Sequence, residues 1–138
     1  MYLISYGTRP ELIKLFPLIN KFKENNIDHK TIFTGQHEDL IKEFENLTHR
    51  PDFVLEKTMK HKQSINSLIY KIINESQKII NSYDCKVIIQ GDAASSFAVA
   101  LSAFNEGKEV IHVEAGLRTH NLRSPFPEEG FRKMISHI

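Results

Sequence analysis

The chain contains a single cysteine, Cys85, among 138 residues. One cysteine excludes an internal disulfide and cannot alone build a thiolate metal site, which leaves the role of a small residue packed beside a strand. An excess of charge of either sign is also missing. Eighteen basic and 17 acidic residues leave a formal net charge of +1, so no general field attracts nucleic acid or an anionic membrane. Any anion recognised here must be held by local groups. The longest uncharged stretch, about residues 93–105, carries Ser and Asn and is too short to cross a bilayer. The N-terminus, MYLISYGTRPE, lacks the basic and long apolar regions of a secretory leader, so the cytoplasm is the expected compartment. No repeat, low-complexity segment or Pro/Gly/Ser-rich linker divides the chain. Seven scattered histidines show no metal-ligand spacing such as HExxH, and no metal is expected.

What is present suits one soluble domain: 41% hydrophobic and 25% charged residues, enough for a single core. Apolar spacing predicts alternating elements. A strand over 2–6 ends at Gly7-Thr8, and Pro10 opens a helix with Leu12, Ile13, Phe16, Ile19 and Phe22 inward, stopping near Asn25-Asn26. A strand follows over 29–33, then a helix over 38–47 and a short strand over 51–55. The clearest helix, over 63–83, aligns Ile65, Leu68, Ile69, Ile72, Ile73, Ile79, Ile80 and Tyr83 on one face. Val87-Ile88-Ile89 is continuous, as in a strand buried on both faces, and Gly91-Asp92 ends it. An Ala- and Ser-rich helix over 93–104, a strand over 110–113, a loop over 114–124 and a helix opened by Pro127 complete the order. That last helix shows no Gly stop, so the chain reads as ending inside an element or at a lobe boundary. Alternation of this kind indicates an α/β fold, a mostly parallel sheet with helices on both faces.

Ligands of such sheets bind outside the carboxyl ends of the strands, so the turns there should converge on one rim. In GTRPELIK, a Gly for the sharp turn, free N–H groups at a helix start and the cations Arg9 and Lys14 would suit a phosphate, although an ordinary strand-to-helix turn explains the same residues. In TGQH, His37 could titrate or bind a ligand, or simply stand at the surface. His49 and His61 read as solvated. In QGDAAS, Asp92 could cap the following helix or act as an acid or base. In HVEAGLR, Glu114 ends a buried strand and needs a partner, for which Arg118 is the candidate, and the Gly after it would admit a close backbone. In SPFPEEG, Glu128 and Glu129 suit the first turn of a helix on dipole grounds alone.

GTRPELIKLFPLI, TGQH, QGDAASSFAVALSAF and HVEAGLRTHNLRSPFPEEGFRK, in this order and spacing, resemble the N-terminal lobe of the non-hydrolysing UDP-N-acetylglucosamine 2-epimerases over essentially the whole chain. The resemblance implies a Rossmann-like lobe of a two-lobed GT-B enzyme that eliminates UDP to a 2-acetamidoglucal and adds it back. It implies Asp92, Glu114 and Glu128 as catalytic carboxylates, Arg9 and Lys14 beside the substrate diphosphate, and Gln36 and His37 in an allosteric substrate segment. No cofactor is implied. The partners implied are a UDP-HexNAc, a C-terminal lobe in cis or in trans that carries a further catalytic His, and a second copy in a homodimer, with no nucleic acid and no membrane. Two departures stand out: Ala93 and Ala94 replace the family's hydroxyl residues, and Asp39 and Lys62 stand where allosteric members carry Gln and Arg. The expected roles are an enzyme lobe inactive alone, one half of a split enzyme, or a nucleotide-sugar binding module without catalysis.

Overall fold

The structure, a computed structural model, describes residues 1–35, 50–55, 58 and 62–138. The predicted helix over 38–47 lies outside the described residues, as do Gln36, His37, Asp39, His49 and His61. Five strands, β1 (Tyr2–Tyr6), β2 (His29–Phe33), β3 (Phe53–Val54), β4 (Lys86–Gln90) and β5 (Val110–Val113), form one parallel sheet in the order β3-β2-β1-β4-β5. Four described helices accompany them: α1 (Arg9–Glu24), α2 (Ile65–Asn81), α3 (Ala94–Asn105) and α4 (Glu128–Ile135).

Handedness distributes the helices. The chain runs one way along the sheet from β1 to β2 and the other way from β3 through β4 to β5, so right-handed crossovers put α1 on one face and α2 and α3 on the other. The strand residues divide accordingly. Ile4, Tyr6 and Ile88 pack with Leu12, Leu15 and Ile19 of α1, whereas Leu3, Val87 and Ile89 pack with Leu68, Ile72 and Ile80 of α2 and with Ala98, Val99 and Ala103 of α3. Val87-Ile88-Ile89 is thus buried on both faces, as its continuous apolar order predicts. The small residues of α3 let it lie close to sheet and neighbours: Ala98, Ala100 and Ala103 are fully buried, and a larger side chain there would cost about 1–3 kcal/mol in overpacking.

The structure departs from the predicted pattern in detail. In α1 the inward row is Leu12, Leu15 and Ile19, while Ile13 is 61% exposed, because residues one apart on a helix point about 100° away from each other. In α2 the fully inward row is Leu68, Ile72, Ser76 and Ile80, with Ile65 left at the exposed start. The last helix ends at Ile135, where the Ser136 N–H bonds to the Arg132 carbonyl, so it stops without a glycine.

The direction reversal lies between β1 and β4, and the crevice it opens is where the site forms. Gly7, just past β1, is required by packing: a Cβ there would overlap Thr34 Oγ1 and lie 2.9 Å from the Ser95 Cβ. Gly116 meets no such demand, since a Cβ there would touch nothing described. Among the described residues nothing comes close to Gly116, so the room its missing side chain leaves stays open.

Candidate active site

A cavity of about 520 Å³ opens outside the carboxyl ends of β1, β4 and β5. Its charged lining comprises Glu11, Lys14, Asp92, Glu114, Glu128 and Arg132. Four of the sequence-predicted residues, Lys14, Asp92, Glu114 and Glu128, therefore meet in one place. Arg9 does not line the cavity; it stands exposed at the first position of α1.

Asp92 follows β4 but does not cap α3. The N-cap is Ala93, whose side chain accepts nothing, and Asp92 Oδ2 instead takes a hydrogen bond from Arg132 Nη2. The capping explanation for Asp92 fails on this geometry. Arg132 also donates to the Leu117 carbonyl at 3.0 Å and to Glu129 Oε2 at 3.2 Å, which fixes the guanidinium between the loop before α4, α4 itself and the end of β4.

Glu114 ends β5 with a left-handed backbone, φ +66°, a conformation that costs a non-glycine residue about 1–2 kcal/mol. Its partner is not Arg118. Lys14 Nζ lies 2.5 Å from Glu114 Oε2, and Gln90 Nε2 donates to the same oxygen. Arg118 instead donates to the Ala115 and Leu117 carbonyls and to Ser136 Oγ.

The two adjacent glutamates of α4 divide their tasks. Glu129 is fully buried, accepts the His120 N–H at 3.2 Å and pairs with Arg132. Burial opposes its charge, but the Thr119 and His120 N–H groups and Arg132 prevail and hold its carboxyl below the ordinary value. Glu128 lines the cavity and accepts no hydrogen bond from any described residue. Helix-dipole placement accounts for both positions, but only Glu128 presents a carboxylate to the cavity.

Glu11 forms the floor. It is 3% exposed and meets no cation among the described residues; its Oε2 accepts the Gly7 and Thr8 N–H groups at 2.5 and 3.2 Å, and its Oε1 accepts the hydroxyls of Ser95 and Ser96 at 3.2 and 3.1 Å. Burial raises its pKa against those four donors. The carboxylate thus takes two N–H groups of the turn that the sequence offered to a phosphate, and completes a capping box with Thr8. Of the phosphate cradle expected there, Lys14 lines the cavity, paired with Glu114, and Arg9 lies outside it.

His112, on β5, places Nε2 2.6 Å from the Gly91 carbonyl, so that nitrogen carries the hydrogen, while Nδ1 is buried with no partner among the described residues. Burial lowers its pKa, with Arg118 and Arg132 acting in the same sense and the Gly91 bond and Asp92 against it. Among the described residues no three His, Cys, Asp or Glu side chains gather as a metal site would require.

The chain has known relatives. The family model of UDP-N-acetylglucosamine 2-epimerase matches residues 20–138. The chain belongs to the UDP-N-acetylglucosamine 2-epimerase family. The UDP-N-acetylglucosamine 2-epimerase of Salmonella borreze is 40% identical over 139 residues, covering 99% of this chain and 36% of that protein. That of Neisseria meningitidis serogroup A is 38% identical, with 97% and 37% covered. A crystal structure of the Neisseria meningitidis enzyme bound to UDP-GlcNAc superposes with a TM-score of 0.90 at 34% identity, over 99% of this chain and 37% of that one. A Methanocaldococcus jannaschii epimerase in complex with UDP-GlcNAc and UDP superposes at 0.88 and 35% identity, over 99% and 38%. The chain spans a little over a third of the length of these epimerases.

Three residues of the candidate site escape sequence reasoning. Gln90 signals itself only as a polar end to an apolar strand. Arg132 sits three residues after Glu129, a helical ion-pair spacing, but nothing in that spacing points to Asp92. Glu11 follows Thr8 by three, the capping-box signature, yet its contacts with Ser95 and Ser96 depend on how α3 lies against β1.

Proposed function

We propose that residues 1–138 are the N-terminal lobe of a non-hydrolysing UDP-HexNAc 2-epimerase, interconverting UDP-GlcNAc and UDP-ManNAc or a related pair, and that the lobe is inactive without a C-terminal counterpart in cis or in trans. The observation that carries this reading is the meeting of Asp92, Glu114 and Glu128 on one cavity in three different environments: paired with Arg132, held by Lys14 and Gln90, and without a donor.

Carbon 2 of the sugar is not adjacent to a carbonyl, so its proton is not acidic enough to leave directly. Elimination solves this. A carboxylate takes the C2 proton, the C–H electrons form the C1=C2 double bond, and the C1–O bond breaks with its electrons leaving on UDP. Reversal with a proton delivered to the opposite face of C2 and UDP returned to C1 gives the epimer. The two half-reactions need acid and base groups reaching two faces, and carboxylates in unlike surroundings can supply them. The departing diphosphate needs positive charge, which Lys14 at the cavity wall and Arg9 at the start of α1 would supply. Ala93 and Ala94 line the same cavity with methyl groups where hydroxyls are usual in the family, which suits a sugar differing in its polar substituents.

The site lies open on its outer side, and a second lobe would exclude water and strengthen its electrostatics. No described helix is long and apolar enough to cross a membrane, in keeping with a cytoplasmic enzyme that meets nucleotide sugars, and a homodimer fits the family. The test is direct: the 138-residue chain should leave UDP-GlcNAc unchanged, and the same chain joined to a C-terminal lobe should convert it to UDP-ManNAc. Conversion by the chain alone contradicts the proposal.

A further inference from the structure

We propose that Gln90 is the positioning residue for Glu114, engaging Oε2 together with Lys14 so that Oε1 is the oxygen that exchanges a proton with the substrate. The inference rests on the function proposed above and adds to it a residue and an atom.

Both donors fall on one oxygen. Gln90 Nε2 and Lys14 Nζ meet at Oε2, and no described residue donates to Oε1. A carboxylate is acceptor-only, so the amide must turn its NH₂ towards Glu114. With Oε2 occupied twice, the lone pairs open to the cavity belong to Oε1.

The two donors differ in rigidity. Lys14 is a flexible side chain, 50% exposed. Gln90 is 3% exposed; its backbone carbonyl accepts the Ser96 hydroxyl at 2.6 Å, and it pairs with Val113 in the β4–β5 ladder, one residue before Glu114. A donor locked by packing and by its own backbone holds a reactive group to the tolerance that proton transfer needs, which a long exposed amine does not. The same bond anchors a side chain whose backbone is strained at φ +66°, a strain that persists where the surroundings over-determine it.

Gln90→Met, close in length but unable to donate, is the variant to make in the chain joined to a C-terminal lobe. The expected result is a kcat lower by about 10- to 100-fold, the scale of one hydrogen bond to a charged group, with KM for UDP-GlcNAc within about twofold of wild type and deuterium exchange at C2 reduced in step with kcat. Unchanged kcat overturns the proposal, as does a matched change in kcat, KM and unfolding midpoint, which marks a packing role only. A wild-type protein that exchanges no deuterium overturns the proposed function itself and is recognised by that control. In the 138-residue chain, ¹⁵N NMR should show a Gln90 side-chain amide with one proton downfield and slow to exchange, and Glu114→Ala should abolish both features. An amide at free-glutamine shifts in the wild-type chain overturns the contact.

Discussion

Arg132 of α4 and Asp92 at the end of β4, forty positions apart in sequence, are joined by an ion pair at the cavity wall. The same guanidinium neutralises Glu129, which has no exposed surface. One buried cation therefore serves a carboxylate at the site and another behind it.

Removing it should be costly to the fold. Arg132→Leu leaves Glu129 buried without its cation, and breaking a buried pair in this way costs about 3–5 kcal/mol. Adding Glu129→Gln should recover part of that loss, a coupling that urea unfolding of the two single variants and the double variant measures. Strictly additive losses would mean that the two side chains do not depend on each other.

The Glu11 carboxyl has its pKa raised, by burial first, against the Gly7 N–H, Ser96 hydroxyl, Thr8 N–H and Ser95 hydroxyl. The folded state therefore holds this proton more tightly than the unfolded chain. Its contribution to stability is complete below the ordinary carboxylate pKa and is lost as pH rises from there through the raised value. Glu11→Gln keeps an acceptor for the two N–H groups and offers donors to the two serines, so it should abolish this part of the pH dependence. Glu11→Ala leaves the buried Gly7 N–H unsatisfied, whereas Ser96 keeps the Gln90 carbonyl, and should cost at least about 1–3 kcal/mol. Urea midpoints across a pH series check both, and an unaltered pH profile in Glu11→Gln would contradict the first.

Much of this arrangement is legible in the sequence, and the boundary of legibility has a physical cause. Strand ends and helix starts follow from local signals, so Asp92, Glu114 and Glu128 can be placed on one rim from periodicity and topology, and the roles proposed for them come from family resemblance. Partners across the rim depend on how elements pack. Arg118 is the nearer cation to Glu114 in sequence, but it donates to the Ala115 and Leu117 carbonyls and to Ser136 Oγ, and Lys14, one hundred residues away, arrives from α1. Asp92 has the composition of a cap, yet the N-cap of α3 is Ala93, with no side-chain cap bond, and the Asp92 carboxylate pairs with Arg132. The helical period, likewise, cannot alone separate Ile13 from Leu15; the sheet decides which is inward.

His112 should remain neutral to a pH below the ordinary histidine value. Its Nε2 hydrogen is committed to the Gly91 carbonyl, and a second proton would sit on a buried Nδ1 that meets no described acceptor. Because this pKa is lowered in the fold, the stability it contributes is present above the unfolded value and lost as pH falls through the folded one. NMR titration of the ring Cε1 proton should give a midpoint below the ordinary value, and a midpoint at or above it would place an acceptor on Nδ1.

The most direct test follows the C2 proton itself. With the chain joined to a C-terminal lobe and UDP-GlcNAc supplied in D₂O, mass spectrometry of the recovered nucleotide sugar should show one deuterium, located at C2, and Asp92→Asn should abolish its incorporation. Epimerisation without deuterium at C2, or undiminished exchange in Asp92→Asn, would contradict the assignment of this rim as the site of proton transfer.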